Sequence, residues 1–259
     1  MTKLTTYICR GKITESTHEA KFLVKNYQYK TIFSSNNDKD LIYPRSSIKV
    51  FQAIPFINSE AHKKFKLSEK EIAMACASHC GEEEHLKVLN QWIKKLKINK
   101  KHLKCGIHNP LNHNSSNKLL LSGEKPNQLH NNCAGKHLAM LSGCLINKNN
   151  ILNYVNFNHP YQKLIRDSLE TFTEKKILKK QIGVDGCSAP QYAFPMKNLS
   201  IAMINLIKKI SSNNKNSTNI KILINSIIKY PHLIGGTDRY DSELMNITKG
   251  KIFAKGGAE

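Results

Sequence analysis

The chain of 259 residues is 40% hydrophobic, enough for one substantial core or two small ones, and its formal net charge is +21. The opening residues lack the apolar stretch of a signal peptide, and no run reaches the ~20 apolar residues of a membrane span, which indicates a cytoplasmic protein without a membrane partner. The lysines are spread over the whole chain without interleaved aromatic residues, so we expect no specific nucleic-acid partner.

Strands are predicted for the N-terminal part of the chain, residues 5–43, which is rich in aromatic and β-branched residues. A helix is predicted over residues 46–54, entered from Pro44 and ended at Pro55. The last predicted element is a short strand, KIFAKGG, at the end of the chain. We therefore expect a sheet built from both ends of the chain.

Two further helices are predicted from local signals in the next segment. Ser68 and Glu71 have the spacing of a capping box, ahead of a helix that is expected to run into Ser78. Another helix is expected to start near Glu82. Its apolar residues keep helical spacing and are expected in the core: Leu86, Leu89, Ile93 and Leu96, with Trp92 on the flank.

The remaining elements are mostly helical and are separated by polar loops. Loops are predicted over 104–136 and 181–195, which are rich in glycine, proline and polar residues. Helices are predicted over 137–146, 160–172, 199–210 and 217–229. The pattern predicts an α+β fold in a single domain, residues 1–259, with an antiparallel sheet and helices packed against it.

Ser46 and Lys49 form the first candidate for chemistry. On a helix, residues three apart lie on the same face, so the lysine amine can reach the serine hydroxyl. A serine needs such a base to become a nucleophile at neutral pH. A lysine with the usual pKa of ~10.4 is almost fully protonated at pH 7, so burial or a neighbouring positive charge must lower the pKa of a lysine in this role. Serine and lysine at this spacing are common by chance, and the pair alone favours an ordinary surface helix.

Two later elements strengthen this interpretation. Ser78 lies at the end of a predicted apolar helix, and Lys255 is followed by two glycines that let a substrate approach the backbone closely. A serine–lysine pair, a second serine and a Lys-Gly element occur in this order in penicillin-recognising enzymes and β-lactamases. A penicillin-interacting serine hydrolase is therefore one alternative. The missing export signal counts against it, because peptidoglycan lies outside the cytoplasm.

Cysteines provide the second candidate site. The seven cysteines, an odd number, indicate reduced thiols and not a disulfide framework. Cys133 and Cys187 lie in glycine-containing segments and could be soft ligands for zinc, with Lys136 or His137 as a further ligand. Spacing alone favours buried free cysteines over a metal site, because two thiolates do not complete one.

Several sequence blocks together resemble the asparaginase II family, the class 3 or rhizobial-type L-asparaginases. The match runs in order from about Arg10 to the last residue, and NNCAGKH and GVDGCSAP are its most specific parts. The blocks are YPRSSIKVFQAIP, ACASHCGEEEH, LKCGIHNP, NNCAGKHLAML, NHPYQKLI, GVDGCSAPQYAFPM, GGTDRYDSELM and KIFAKGGAE.

The resemblance implies an L-asparagine amidohydrolase, which converts asparagine and water to aspartate and ammonia. It also implies a fold similar to serine β-lactamases and glutaminases. Two serine–lysine pairs are implied in the active site: Ser46 with Lys49, and Ser78 with Lys255. We expect Ser46 to attack, since Lys49 is its neighbour on the same turn, and Ser78 to relay protons or orient substrate.

A zinc ion near the catalytic centre is also implied by the resemblance, and not by the spacing. The ligand positions would be Cys133, Lys136 and Cys187. The residues that would line the pocket for L-asparagine are Arg45, His137 and Asp185. A neutral, metal-bound lysine is chemically consistent with this set, because a nearby cation favours loss of the amine proton.

This sequence departs from the family pattern at three places. Asp238 stands where members commonly have glycine, and Cys80 stands where asparagine or serine is more usual. Members usually continue for several tens of residues beyond Glu259, so we expect the family's C-terminal segment to be missing. An inactive, truncated paralogue and a basic binding protein remain alternatives, and a homodimer is an open expectation.

Overall fold

Helices form most of the computed structural model, which describes residues 4–35, 38–212 and 215–258. Short 3-10 turns lie at Arg45–Ile48, Lys100–His102, Gln128–His130, Lys179–Gln181 and Pro231–Leu233. The α-helices are α1 (Lys49–Gln52), α2 (Ile54–Asn58), α3 (Ala61–Lys64), α4 (Glu69–Met74), α5 (Glu83–Leu96), α6 (His113–Leu121), α7 (Ala134–Ile146), α8 (Pro160–Thr173), α9 (Met196–Ser211), α10 (Lys215–Lys229) and α11 (Tyr240–Ile247). None of the described helices is long and apolar enough to cross a membrane.

The strands form antiparallel pairs. They are β1 (Leu4–Arg10) with β2 (Ile13–Ala20), β3 (Leu23–Lys25) with β4 (Thr31–Ser34), β5 (Leu41–Ile42) with β8 (Phe194–Pro195), and β6 (Ile182–Val184) with β7 (Pro190–Tyr192). The single α+β domain is confirmed, as is the antiparallel pairing.

The expected sheet from both ends of the chain is wrong, because no strand is found in the described residues after Pro195. KIFAKGG runs as an irregular segment instead. Its Gly256 N–H donates to the carboxylate of Asp241 at 3.1 Å, so a side chain, and not a neighbouring strand, holds this segment.

The predicted helix over residues 46–54 is divided into shorter pieces. A 3-10 turn over Arg45–Ile48 leads into α1, and α2 follows at once. Pro55 does not end a helix, as expected, but lies in the first turn of α2. Proline is tolerated there because the first turn of a helix has no partner for its backbone N–H groups.

The local signals for α4 and α5 are confirmed. Ser68 and Glu71 form the capping box, with the backbone N–H of Ser68 2.6 Å from the Glu71 carboxylate. Helix α5 begins at Glu83 and turns its apolar stripe to the core. Trp92, expected on the flank, is fully buried, and its indole N–H donates to the Ser142 hydroxyl at 3.0 Å.

Ser78 does not lie on a helix. Helix α4 ends at Met74, and the following segment pairs with a distant part of the chain. The N–H of Ser78 donates to the carbonyl of Ile234 at 2.7 Å, and the N–H of Cys80 donates to Gly235 at 2.8 Å. These bonds replace the helical ones, so the segment around Ser78 is anchored to residues 234–235.

Helices α7 to α10 lie where the sequence predicted them, whereas α6 and α11 were not predicted. Helix α6 falls inside the expected loop 104–136 and has no buried residue, so no apolar period marks it. Its start is fixed by Asn112, whose side chain accepts from the N–H of Ser115 at 2.9 Å.

Helix α7 lies directly against the end of α4 at Gly135. A Cβ added to Gly135 would lie 2.0 Å from the carbonyl oxygen of Met74. This contact needs glycine, since only a residue without a side chain lets two backbones come so close. Cys133 and Lys136, on either side, are thereby held near the segment that follows α4.

We predict that Gly135→Ala lowers the free energy of unfolding by about 1–3 kcal/mol, as forced overpacking does. Gly186→Ala is the matched control, because a Cβ there meets no heavy atom within 4 Å. Urea unfolding of both variants measures the difference. Equal stabilities would show that α7 can move away from Met74 without cost.

Candidate active site

The amine of Lys49 lies at the centre of the site. This side chain is 1% exposed, and its Nζ is 2.5 Å from the carbonyl oxygen of Ala77, 2.9 Å from Ser78 Oγ and 3.5 Å from the carbonyl oxygen of Asn132. The amine donates to all three oxygens, and it can accept the hydroxyl proton of a serine only after it has lost a proton of its own. The geometry therefore places a buried amine in direct contact with a serine hydroxyl.

Ser46 lies on the wall of an open cleft of about 670 Å³. It is half-buried, and no side-chain hydrogen bond of Ser46 is found among the described residues. The backbone N–H of Lys49 bonds to the Ser46 carbonyl, but the Lys49 amine bonds to Ser78. The structure thus differs from the expected pairing of Ser46 with Lys49, because the lysine side chain turns inward to the carbonyl of Ala77.

Lys255 also has a partner other than the expected one. Its Nζ is 3.1 Å from Asp241 Oδ2 and 2.9 Å from the Gly256 carbonyl, and no hydrogen bond between Lys255 and Ser78 is found in the described chain. Both side chains of the ion pair are nearly inaccessible, at 3% and 4% exposure. Burial and the charge of Lys49 lower the pKa of Lys255 to about 8, against the opposing effect of Asp241.

Cys133, Lys136, Asp185 and Cys187 form a compact buried cluster beside the cleft. One ligand atom from each of Cys133, Asp185 and Cys187 lies within 4.8 Å of the other two, and Lys136 Nζ is 3.1 Å from Cys187 Sγ. A hydrogen bond from Cys133 and the charge of Lys136 lower the pKa of Cys187 to about 5, despite burial. Two sulfur atoms with a nitrogen or an oxygen are a donor set that fits zinc.

Arg45 and Asp185 join this cluster to the cleft. Asp185 Oδ1 accepts from the Arg45 guanidinium at 3.0 Å and 2.8 Å, while Oδ2 is 3.8 Å from Lys136 Nζ. Burial favours the neutral acid, but Lys136 and Arg45 outweigh it and lower the pKa of Asp185. Arg45 has a φ of +50°, a left-handed conformation that a non-glycine residue keeps only when its surroundings enforce it.

His137 lies in the core and not on the cleft wall, where the resemblance suggested it. Its side chain is fully buried, and Nδ1 is 2.6 Å from the Tyr154 hydroxyl. Burial, together with the charge of Lys136, lowers its pKa to about 3, so the imidazole is neutral at physiological pH. From this place it supports helix α7 and does not face the cleft.

Glu82 supports the segment that follows Ser78, and sequence reasoning missed it. Its carboxylate accepts from the N–H of Thr237 at 3.0 Å, from Asn112 Nδ2 at 3.1 Å and from Cys80 Sγ at 3.2 Å. It also pairs with His232 Nε2 at 2.8 Å. Glu82 therefore fastens residues 234–237 to the segment of Ser78. No sequence signal distinguishes it from its acidic neighbours.

Two of the three departures from the family pattern, Asp238 and Cys80, are accommodated locally. Asp238 has a φ of +58°, where glycine adopts the left-handed region without strain and aspartate tolerates it. Cys80 packs against Gly236, and a Cβ on that glycine would lie 2.1 Å from the cysteine sulfur. Both residues therefore fit the local backbone of the site.

Buried amines, thiols and paired carboxylates that converge on an open polar cleft define an enzyme-type site for a small polar substrate. Comparison with family models identifies the protein family. The model for L-asparaginase II matches residues 6–259, and the chain therefore belongs to the asparaginase II family. At the level of that family its activity is asparaginase-type hydrolysis of an amide. No curated protein matches the chain.

We predict that Glu82→Ala lowers the free energy of unfolding by about 1 kcal/mol or more, because it removes the shared acceptor of three hydrogen bonds and the partner of His232. Glu83→Ala is the matched control, since Glu83 is the exposed next residue on the same helix. Chemical unfolding of both variants measures the difference. If the two variants are equally stable, Glu82 does not hold the loop.

Proposed function

We propose that the protein hydrolyses L-asparagine to L-aspartate and ammonia, and prefers it to L-glutamine. The observation that carries the proposal is the buried amine of Lys49, 2.9 Å from a serine hydroxyl and adjacent to the cleft wall on which Ser46 lies. Membership of the asparaginase II family supports the substrate class.

Ser46 is the proposed nucleophile because it is the serine on the cleft wall. Its Oγ attacks the side-chain amide carbon of asparagine, and its proton passes by way of the Ser78 hydroxyl to the Lys49 amine, which must first have lost a proton to receive it. The C–N bond then breaks, the proton passes to the leaving nitrogen, and ammonia departs. The product of this step is an aspartyl ester on Ser46.

Water completes the reaction by attacking the ester carbonyl. Lys49 again takes the proton, aspartate leaves, and the Ser46 hydroxyl is restored. Ser78 is proposed as the relay, since it is the hydroxyl that the Lys49 amine contacts. Lys255 is proposed to add positive charge near that amine, since it lies close enough for the charge of Lys49 to lower the pKa of Lys255.

Arg45 is proposed to bind the α-carboxylate of the substrate. Its guanidinium is 42% exposed on the cleft wall and is held by Asp185, which leaves other N–H donors free for an anion. Asp185, on the same wall, offers the opposite charge for the α-amino group.

Zinc is proposed as the resident metal, held by Cys133, Lys136 and Cys187. When bound, a zinc ion supplies Lewis acidity toward a nearby oxygen. Lys136 must then lose the proton that Cys133, Cys187 and Asp185 stabilise despite burial. We also propose the cytoplasm as the compartment, and its support is that the cysteines of the described chain are free.

We predict that Ser46→Ala and Lys49→Met each lower kcat for asparagine by several powers of ten. The double variant is expected to be little worse than either single variant, because groups that act as one unit are not additive. Ser47→Ala is the matched control, since its hydroxyl bonds to the Pro44 carbonyl and Ser47 is not on the wall of this cleft. Ammonia release from asparagine and glutamine is the measurement.

An electrophilic asparagine analogue separates the two serines. Mass spectrometry of the treated protein should find the adduct on the peptide that contains Ser46. An adduct on Ser78, with near-full activity in Ser46→Ala, would assign the attack to Ser78.

We predict that purified protein contains about one zinc ion per chain, the number that a single set of ligands holds. Cys133→Ala and Cys187→Ala should lose it, because each removes a soft ligand. Cys144→Ala is the matched control, a buried cysteine on the same helix α7 as Lys136. Elemental analysis decides, and equal zinc content in all variants would rule this site out.

A further inference from the structure

Asp241 occupies a position that no sequence argument assigned. Its carboxylate is on the cleft wall but only 4% exposed. Oδ2 accepts from Lys255 Nζ and from the Gly256 N–H, each at 3.1 Å, and Oδ1 accepts from the Ser242 N–H at 3.1 Å. The carboxylate is thus held at the start of α11 and binds both the backbone and the side chain of the last segment.

The two active-site lysines differ in their partners. The hydrogen bonds of the Lys49 amine go to two backbone carbonyls and a hydroxyl, all neutral groups. Lys255 has a carboxylate in contact. The carboxylate in contact favours the charged form of the Lys255 amine, whereas burial and the charge of Lys49 oppose it.

We propose that Asp241 is a positioning residue that holds the Lys255 amine in place and favours its protonated form, so that Lys255 acts as a fixed cation beside Lys49 while Lys49 transfers the proton. This inference rests on the proposed function, and it assigns different tasks to two lysines that the family resemblance treats as equivalent partners of serines.

The charged and titratable groups around the pair are few. Lys255 is influenced by Lys49 from α1, by Cys76 from the segment after α4 and by Asp241 from α11. Burial raises the pKa of Cys76 to about 12, so that thiol is neutral. Burial opposes ionisation of Asp241, but Lys255, the Gly256 N–H and Arg239 outweigh it and lower the pKa of Asp241.

The sign of the pH effect follows from these groups. With a pKa of about 8, Lys255 is mostly protonated at neutral pH and loses its proton as the pH rises. Asp241→Asn removes the nearby negative charge but leaves burial and Lys49 in place. The pKa of Lys255 must then fall, by about 1–3 units for an opposite charge in contact.

The pH dependence of kcat/KM for asparagine tests the proposal with three variants. In Asp241→Asn we expect the alkaline limb of this pH profile, where kcat/KM falls as the pH rises, to move to lower pH by about 1–3 units. Asp241→Glu should return it toward the wild-type position. Asp238→Asn, which removes a carboxylate from the same cleft wall without touching Lys255, should leave the limb in place. In Lys255→Arg, the activity that remains should show no alkaline limb, because a guanidinium stays protonated.

Two results would overturn the proposal. If Lys255 were itself the base, Asp241→Asn would move the acidic limb to lower pH, and Lys255→Arg would be inactive. If Asp241 were only structural, Asp241→Asn would lower the rate at every pH without moving either limb.

Direct titration separates this inference from the proposed function. The ε-carbon of ¹³C-labelled Lys255, assigned by comparison with Lys255→Arg, reports its protonation by NMR whether or not asparagine is hydrolysed. A lower pKa in Asp241→Asn supports the ion pair even in a protein without asparaginase activity. An unchanged pKa refutes it even in an active enzyme.

Discussion

A lysine amine that is 1% exposed must find every polar partner within the protein, because an unpaired buried amine costs several kcal/mol. Lys49 finds them in the carbonyls of Ala77 and Asn132 and in the hydroxyl of Ser78. These groups belong to two segments that are far apart in the sequence, residues 77–78 and residue 132. The amine therefore fixes the geometry between α1, the segment after α4 and the loop before α7.

Asp185 and Asp241, the two buried carboxylates near the cleft, each contact a cationic side chain. Asp185 lies between Arg45 and Lys136, and Asp241 holds Lys255. Pairing keeps these acids ionised where burial alone would neutralise them. The cleft wall thus carries these two acids and the thiols of Cys133 and Cys187, while the lysines that pair with the acids are buried behind it.

Sequence reasoning succeeded where the physics is local. The capping box of Ser68 and the apolar period of α5 depend on neighbours in sequence, and both are present in the structure. It also selected the lysines and serines of the site. The structure places the Lys49 amine against Ser78 and not Ser46, because this partner is set by tertiary contacts. Asp241 was missed because it lies in the first turn of α11, a helix that the sequence did not predict.

The backbone bond between Ser78 and Ile234 joins positions more than half of the chain apart. Closing so long a loop lowers the conformational entropy of the chain before the contact can stabilise it. Such contacts therefore form late in folding. During synthesis, α4 and α5 leave the ribosome long before residue 234 has been made. The serine that Lys49 contacts cannot be anchored until then, so the first half of a nascent chain does not hold an assembled active site.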